Sequence, residues 1–254
     1  MTSPTRRVKR GWMNLRVDKI IHETHDTDTF ILVDADEGGR PFDYWAGQYL
    51  TFRFDDLTDK PIVRSYTMSS SPCQEGYSAF TVKRVDGGVV SNWLCDKVQV
   101  GTVLRARGPI GRFIYESDKD APHLFMTAGG SGVTPFVSII REYAPKLGQP
   151  GAPKKMTLMV SHRTRQDLIC QADLDRALKG VSGVRVITSL SRETADGFWH
   201  GRLDDAALAK AIAGEYGNTT YMSCGPQAIM DLTVAHMTKH GVPAERIKTE
   251  SFES

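Results

Sequence analysis

No stretch of this 254-residue chain approaches the roughly 20 consecutive apolar residues of a membrane-spanning helix, and no signal-peptide core opens it. A soluble, cytoplasmic protein with no membrane partner is therefore expected. Charge of one sign is also lacking: 32 Lys+Arg stand against 30 Asp+Glu, and a formal charge of +2 is too small to suggest a nucleic-acid partner. Basic residues do gather at Arg6, Arg7, Lys9, Arg10 and Arg16. No basic face recurs later, so they read as a solvated tail. Cysteine is sparse. Cys73, Cys95, Cys170 and Cys224 stand far apart, without the close pairs of a zinc or iron–sulfur site, and no metal is implied. His22 with His25, and His236 with His240, have no third ligand nearby in sequence and read as incidental pairs. Internal repeats and low-complexity segments are absent.

What is present divides into two halves, each long enough to bury its own core. The first carries short β-rich runs, "TFILVDA", "QYLTFRF", "YSAFTVKRV" and "TVLRARGP", separated by Gly/Asp-rich turns. That rhythm predicts an antiparallel barrel or sandwich. After "ESDKDAP" (116–122) the rhythm changes. "HLFMTA" is a compact apolar strand, and "PFVSIIREYAPKL" has helical spacing at Phe136, Ile139, Ile140 and Tyr143. Strand and helix then alternate through "KMTLMVS", "DLDRALKG", "VRVITSL", "DDAALAKAIAG", "TYMSCG" and "PQAIMDLTVAHMTKHG", which predicts a parallel sheet wrapped by helices. The expected domains are 1–118 and 119–254.

Two turns in the second half have the form of phosphate sites. In "TAGGSGVTP", from Thr127 to Pro135, a strand meets a helix. Gly129, Gly130 and Gly132 permit a tight turn and close approach, and the helix start offers free N–H groups. Pro135 replaces the last glycine of G-x-G-x-x-G and suits a first helical turn. A second such turn, Ser-Cys-Gly-Pro, closes with Cys224, Gly225 and Pro226. Neighbouring strand ends of this kind define a nucleotide crevice in an open α/β sheet. Cys224 either faces that crevice or is a buried structural cysteine.

In the first half, "PIVRSYTMSSSP" (61–72) sets Arg64, Ser65, Tyr66 and Thr67 on a segment whose Val63, Tyr66 and Thr67 favour a strand. Ser69, Ser70 and Ser71 read as turn residues. "RSYT", "VKRV" and "GGVVSNWL", then "GPIGRF", "TAGGSGVTP", "SCGP" and the terminal "ESF", taken together in this order, resemble the ferredoxin–NADP reductase superfamily of flavoproteins from about residue 12 to 254. "VSNWL" and "ESF" look most similar to the reductase halves of flavohaemoglobins and of the reductases that serve hybrid-cluster proteins and Rieske-type oxygenases.

The resemblance implies an antiparallel β-barrel flavin domain followed by an α/β nucleotide domain. It implies that Arg64 pairs with the FAD pyrophosphate, Tyr66 lies against the isoalloxazine and ribityl chain, and the Thr67 hydroxyl reaches flavin N5. The chemistry of each residue suits its role. "GGVVSNWL" would add close backbone approach at Gly88, Val89 and Val90, with Ser91 as hydroxyl donor and helix N-cap. Val82 and Arg84 would offer backbone contacts to the flavin ring, although strand pairing alone also explains "VKRV". Thr134 and Cys224 would border the nicotinamide, Glu250 would act as a proton-relay or polarising group, and Phe252 would shield the flavin's other face. Thr67, Cys224 and Glu250 are the expected catalytic residues.

Coenzyme choice stays open between NADPH and NADH. Ser161, Arg163 and Arg165 of "SHRTRQD", with Ser191 and Arg192 of "SLSRE", have the donors to clamp a 2′-phosphate, and "SRE" resembles the NADPH users. No C-x4-C-x2-C occurs, so the expected acceptor is a separate 2Fe–2S ferredoxin or a ferredoxin domain outside this chain. The expected activity is FAD-dependent NAD(P)H oxidation feeding a one-electron protein acceptor, by a monomer serving as reductase component of an oxygenase system. The alternative is an electron-relay or regulatory flavin-binding subunit of a larger complex.

Overall fold

The structure is a computed structural model that describes residues 11–73 and 76–252. The basic run from Arg6 to Arg10 lies outside the described residues. The chain divides into two compact units, Met1–Ile114 and Tyr115–Ser254.

The first unit holds β1 (Trp12–Thr24), β2 (Thr27–Asp34), β3 (Tyr49–Phe54), β4 (Ile62–Thr67), β5 (Ser78–Lys83), helix α1 (Val89–Lys97) and β6 (Val103–Ile110). The strands form one antiparallel sheet in the order β4-β3-β6-β1-β2-β5. β4 and β5 are its two ends, and a bridge between Met68 and Phe80 joins them, with the Ser69 N–H donating to the Ala79 carbonyl at 2.8 Å. The sheet is thereby closed into a barrel. Alternate residues point inward: Leu15 and Val17, Phe30 and Leu32, Leu50 and Phe52, Phe80 and Val82 fill one core. Phe80 is its centre, with ring centroids 4.5 Å from Phe52, 5.2 Å from Phe30 and 5.4 Å from Tyr66. Helix α1 packs Val90 and Leu94 onto the same core, and Trp93 meets the Phe54 ring edge-on. Ser69, Ser70 and Ser71, read as turn residues, are all buried. Ser70 Oγ bonds the Tyr44 hydroxyl and accepts from the Ala79 N–H, each at 2.7 Å.

The second unit holds β7 (His123–Gly129), α2 (Thr134–Tyr143), β8 (Lys155–His162), α3 (Gln171–Leu178), β9 (Val184–Leu190), β10 (Trp199–His200), α4 (Asp205–Ile212), β11 (Thr219–Cys224), α5 (Gln227–Lys239) and β12 (Ile247–Glu250). Its sheet is parallel throughout, in the order β10-β9-β8-β7-β11-β12. β7 and β11 are buried along their whole length, as strands covered by helices on both faces must be. The chain runs outward from β7 through β10, then returns to the other side of β7 for β11 and β12. The topological switch point therefore lies between β7 and β11, which is where such sheets bind ligands, beyond the carboxyl ends of the strands. His236 has a structural role: its buried ring bonds Asp205 at 2.6 Å and the Tyr216 hydroxyl at 2.9 Å, tying α5 to α4.

His123, at the opposite end of β7, ties three strands together. Its ring bonds Thr157 of β8 at 3.1 Å and Thr219 of β11 at 3.0 Å. Burial first, then the Lys155 charge, holds its pKa down to about 4, against a weaker opposing pull from Glu215. An unfolded histidine takes up a proton near pH 6.5 that the folded one refuses, so stability falls as pH drops from about 6.5 toward about 4. Urea midpoints measured across that window are expected to decline for the native sequence and to flatten for His123→Gln. An unchanged slope in the variant would remove His123 from the account.

Candidate functional site

In the first unit the site begins on β4. As an end strand of the sheet, β4 pairs along one side with β3, in the register Leu50 with Tyr66, Thr51 with Ser65 and Phe52 with Arg64. Its other side is joined to β5 by the Met68–Phe80 bridge just past its end. Successive side chains alternate, so Arg64 and Tyr66 stand on one face and Ser65 and Thr67 on the other. A flat ligand laid across the open edge of such a strand touches both sets.

The donors there are available. The Arg64 guanidinium is exposed, gives one hydrogen bond to the Val63 carbonyl at 2.8 Å, and forms no ion pair among the described residues. The Thr67 hydroxyl is buried and bonds no described residue. Tyr66 packs edge-on against Phe52 at 5.9 Å, and burial pushes its phenol pKa up, so it remains a donor. Ser65 Oγ is shared with Thr51 at 3.0 Å. Tyr49 was not foreseen. It stands opposite Thr67 in the β3–β4 register, its hydroxyl bonds no described residue, and its ring lies where a Cβ on Gly111 would come within 3.1 Å. The signal was in "GQYL", since a strand tyrosine alternating with buried Leu50 must face outward.

Helix α1 supplies the second element. It begins at Val89 with Gly88 as N-cap, so Ser91 lies inside the first turn and does not cap the helix. Ser91 Oγ instead accepts the Val85 N–H at 3.1 Å, and the Asn92 side-chain amide donates to the carbonyls of Val85 and Gly88 at 3.1 and 2.7 Å. These two side chains lace the turn that carries Gly88. A Cβ at Gly88 would sit 2.7 Å from Ser91 Oγ. The first-turn N–H groups of Val89, Val90 and Ser91 have no intrahelical acceptor and point out of the helix start. On β5, Val82 pairs with Asp28 of β2, and the Arg84 N–H is taken by the Asp26 carbonyl at 2.8 Å. The Arg84 guanidinium is held by Asp96 of α1 at 2.7 Å. The Arg84 N–H is therefore committed to the sheet.

In the second unit the expected residues assemble at the carboxyl ends of the strands. Gly129, Ser161 and Ser189 are in register across β7, β8 and β9, as are Ala128, Cys224 and Glu250 across β7, β11 and β12. The terminal "ESF" begins as a strand, and that pairing sets Glu250 beside Cys224. Cys224 is fully buried; burial pushes its thiol pKa up, and the Glu250 charge pushes it further. It stays a neutral thiol. Oε2 of Glu250 is buried. Phe252 is exposed.

The two glycine turns interlock. A Cβ at Gly132 would lie 2.3 Å from the Cys224 carbonyl oxygen and 2.6 Å from Gly225 Cα. One at Gly129 would meet Ile229 at 2.4 Å and Pro226 at 2.9 Å, and one at Gly225 would meet the Gly129 carbonyl at 2.8 Å. These three glycines bring the switch-point turns together. Gly130, at φ +53 with open space around it, is the one that leaves the backbone uncovered. Thr134 and Pro135 start α2, and the Thr134 hydroxyl closes the turn onto the Ser131 carbonyl at 3.0 Å. Thr127, expected beside a ligand phosphate, is buried and bonds Ser223 and Thr233, each at 2.8 Å. It joins β7, β11 and α5.

The arginine cluster is also divided. Arg165 Nε bonds the Glu193 carboxylate at 2.5 Å, and the Arg165 N–H reaches the same carboxylate at 2.8 Å, which lowers the Glu193 pKa. Arg165 is thus engaged. Arg163 and Arg192 are brought side by side, the Arg192 N–H donating to the Arg163 carbonyl at 2.9 Å, and neither forms an ion pair among the described residues. Ser191 is fixed next to them by its N–H on the His162 carbonyl at 2.9 Å.

Residues 14–115 match the family described as oxidoreductase FAD-binding domain, and residues 126–235 the family described as oxidoreductase NAD-binding domain. The chain is 32% identical over 241 residues to the ferredoxin reductase component of 3-ketosteroid-9-alpha-monooxygenase from Rhodococcus rhodochrous, covering 94% of this chain and 65% of that protein. It is 30% identical to the glycine betaine monooxygenase reductase subunit of Pseudomonas aeruginosa, covering 95% of this chain and again 65% of the relative. The chain thus spans less than two thirds of the length of these curated relatives. Among solved structures, the flavohem-like FAD/NAD binding domain of nitric oxide dioxygenase from Vibrio cholerae O1 biovar El Tor shares the fold, with a TM-score of 0.81 at 24% identity, covering 94% of this chain and 98% of that one. An FAD-binding barrel followed by an NAD-binding parallel sheet, each matched in its own right, makes the chain a member of the ferredoxin–NADP reductase superfamily of flavoproteins.

Proposed function

We propose that the chain is the FAD-carrying NAD(P)H oxidoreductase unit of an oxygenase system, which takes a hydride from NAD(P)H and passes electrons singly to an iron–sulfur or ferredoxin-like acceptor. The observation that carries this reading is the open edge of β4, where the Tyr66 and Thr67 hydroxyls bond no described residue and the Arg64 guanidinium gives one hydrogen bond, to the Val63 carbonyl. The relatives support it, since two are named as reductase components of monooxygenases. The four free cysteines fit a cytoplasmic location, and among the described residues no helix is long and apolar enough to cross a membrane. We take the unit to act as a monomer.

When bound, FAD supplies the conversion between two-electron and one-electron transfer, and the protein supplies binding, orientation and electrostatics. Arg64 and the first-turn N–H groups of α1 hold the pyrophosphate, the arginine as a planar fork and the helix start as a cluster of donors. Tyr66 and Tyr49 would hold the flavin ring at the strand edge. Thr67 Oγ1 would serve N5, where a hydroxyl can donate or accept as protonation changes. On the second unit, Gly130 and the start of α2 approach the coenzyme pyrophosphate, and Arg163 with Arg192 bind the adenosine 2′-phosphate, which favours NADPH. The neutral Cys224 thiol borders the nicotinamide without adding charge there, and Glu250 polarises or relays a proton beside it.

The purified protein is expected to be yellow and to release FAD, not FMN, on denaturation. Arg64→Ala should lose flavin, by about tenfold to hundredfold in affinity for a charge-assisted phosphate contact of roughly 1.5–3 kcal/mol. Thr67→Ala should keep the flavin and slow its reduction by NADPH. Chromatography of the released chromophore and stopped-flow absorbance check both; FMN alone, or full flavin and unchanged rates in both variants, refutes the assignment.

A further inference from the structure

We infer that Gln48 is a positioning residue for the bound flavin: its carboxamide clips the turn before β3 to the loop after β6 and so seats the Tyr49 ring at the strand edge, an inference that rests on the flavin reading above. Four hydrogen bonds converge on Gln48. Its N–H donates to the Trp45 carbonyl at 3.0 Å and its Oε1 accepts the Trp45 N–H at 2.9 Å, which closes the turn 45–48 from both ends. Its Nε2 donates to the Gly111 carbonyl at 3.2 Å, across 63 residues of sequence. Its own carbonyl accepts the Met68 N–H at 3.0 Å, one residue past Thr67. The carboxamide has one orientation only, because the Trp45 N–H needs an acceptor and the Gly111 carbonyl needs a donor.

The loop that this side chain reaches is shaped around Tyr49. Tyr49 pairs with Ile110 and Thr51 with Arg107, so Leu50 alone stands against Gly108 and Pro109, and β6 bulges there. A bulge re-aims the side chains beside it. Just past it, a Cβ on Gly111, at φ +117, would lie 3.1 and 3.2 Å from carbons of the Tyr49 ring. The ring therefore rests on the bare backbone of the residue whose carbonyl Gln48 holds. On the other side of Gln48, a Cβ on Gly47 would run into the Phe113 carbonyl oxygen, so the chain before Tyr49 and the chain after Gly111 already lie against each other.

The residue type follows from the two bonds. Glu would offer no donor to Gly111, Asn is one methylene shorter, and Met would fill the space without either bond. Loss of the clip frees the Tyr49 ring and the loop beneath it together. Arg64 and the turn at α1, which hold the pyrophosphate in the same reading, are untouched, so the flavin stays bound while its ring is less well held. Hydride transfer depends on the alignment of the reacting atoms, and the loss falls on the rate rather than on binding. One neutral hydrogen bond sets the scale, about threefold to tenfold.

The FAD-loaded protein is to be compared with Gln48→Met and Gln48→Glu by flavin content, visible circular dichroism of the bound flavin, and stopped-flow reduction with each coenzyme. Both variants are expected to keep FAD and to change its dichroism. Their limiting reduction rate should fall about threefold to tenfold at an unchanged half-saturating coenzyme concentration. Gln48→Glu keeps an acceptor for the Trp45 N–H and loses only the donor to Gly111, so an effect equal to that of Gln48→Met assigns the role to the Gly111 bond. Tyr49→Ala should change dichroism and rate in the same sense, and adding Gln48→Met to it should slow reduction by less than about twofold more, since the clip acts through that ring. Native protein that releases no FAD sinks the flavin reading and this inference with it. If native protein holds FAD but the Gln48 variants lower only the melting temperature, with dichroism and rate unchanged, Gln48 is a turn residue and the inference alone falls. Native dichroism and rate in Gln48→Glu, or rate losses that multiply in full in the double variant, overturn it as well.

Discussion

Gly132→Ala is expected to destabilise the second unit by about 1–3 kcal/mol and to weaken NAD(P)H binding at least tenfold, while leaving FAD in place. The added Cβ would fall 2.3 Å from the Cys224 carbonyl oxygen and 2.6 Å from Gly225 Cα. Both obstacles are backbone, in a turn whose Gly225 at φ +130 is itself pressed against Gly129. No side chain can swing aside, so the two turns at the switch point must part. Parting them moves the start of α2 away from the strand ends. Gly130→Ala is the control, since it meets nothing within 4 Å and bears only the cost of φ +53, about 1 kcal/mol. For a protein of this size the difference appears as several degrees in melting temperature. Flavin content, melting and coenzyme titration of both variants decide the matter. If Gly132→Ala melts and binds coenzyme like Gly130→Ala, the interlock has no part in holding the site.

That interlock shows where sequence reading reaches its limit. The strands and helices were legible because their patterning reports burial directly: "HLFMTA" and "TYMSCG" contain no Asp, Glu, Lys or Arg, and β7 and β11 are buried throughout. Phe136, Ile139, Ile140 and Tyr143 are all buried on α2, as their spacing requires. The glycines were legible as turn residues but not in their reasons. Gly129 and Gly132 read as openings toward a ligand, whereas they make room for the facing turn from β11, nearly a hundred residues on. A similar distance in sequence hid the partners of Thr127, and a separation of 28 residues hid that of Arg165. Nothing local to Arg165 reveals that Glu193, at the end of another strand, will take its guanidinium. Ser91 was misplaced for a smaller reason: Gly88, with no side-chain oxygen, is the weaker cap signal, yet the turn is too tight there for a Cβ. β12 went unread because its four residues, Ile247–Glu250, carry no period, and only pairing with β11 makes them a strand.

The division of the arginines leads to the largest expected effect. With Arg165 held by Glu193, a 2′-phosphate falls to Arg163 and Arg192, whose loops are already tied by the backbone bond between them. That bond survives side-chain replacement, so the variants should fold. Each charge-assisted contact is worth roughly 1.5–3 kcal/mol, and adjacent contacts to one phosphate are not fully additive. Arg163→Ala with Arg192→Ala should therefore lower the preference for NADPH over NADH by about a hundredfold or more, chiefly through the Michaelis constant for NADPH, with NADH nearly unaffected. Arg165→Ala should change the preference little, because its guanidinium is committed to Glu193. Stopped-flow flavin reduction with each coenzyme measures all three proteins. If the native protein prefers NADH and the double variant leaves both rates unchanged, Arg163 and Arg192 are a solvated surface. If Arg165→Ala alone abolishes NADPH use, the Glu193 pair opens when coenzyme binds and the clamp is the one that the sequence first suggested.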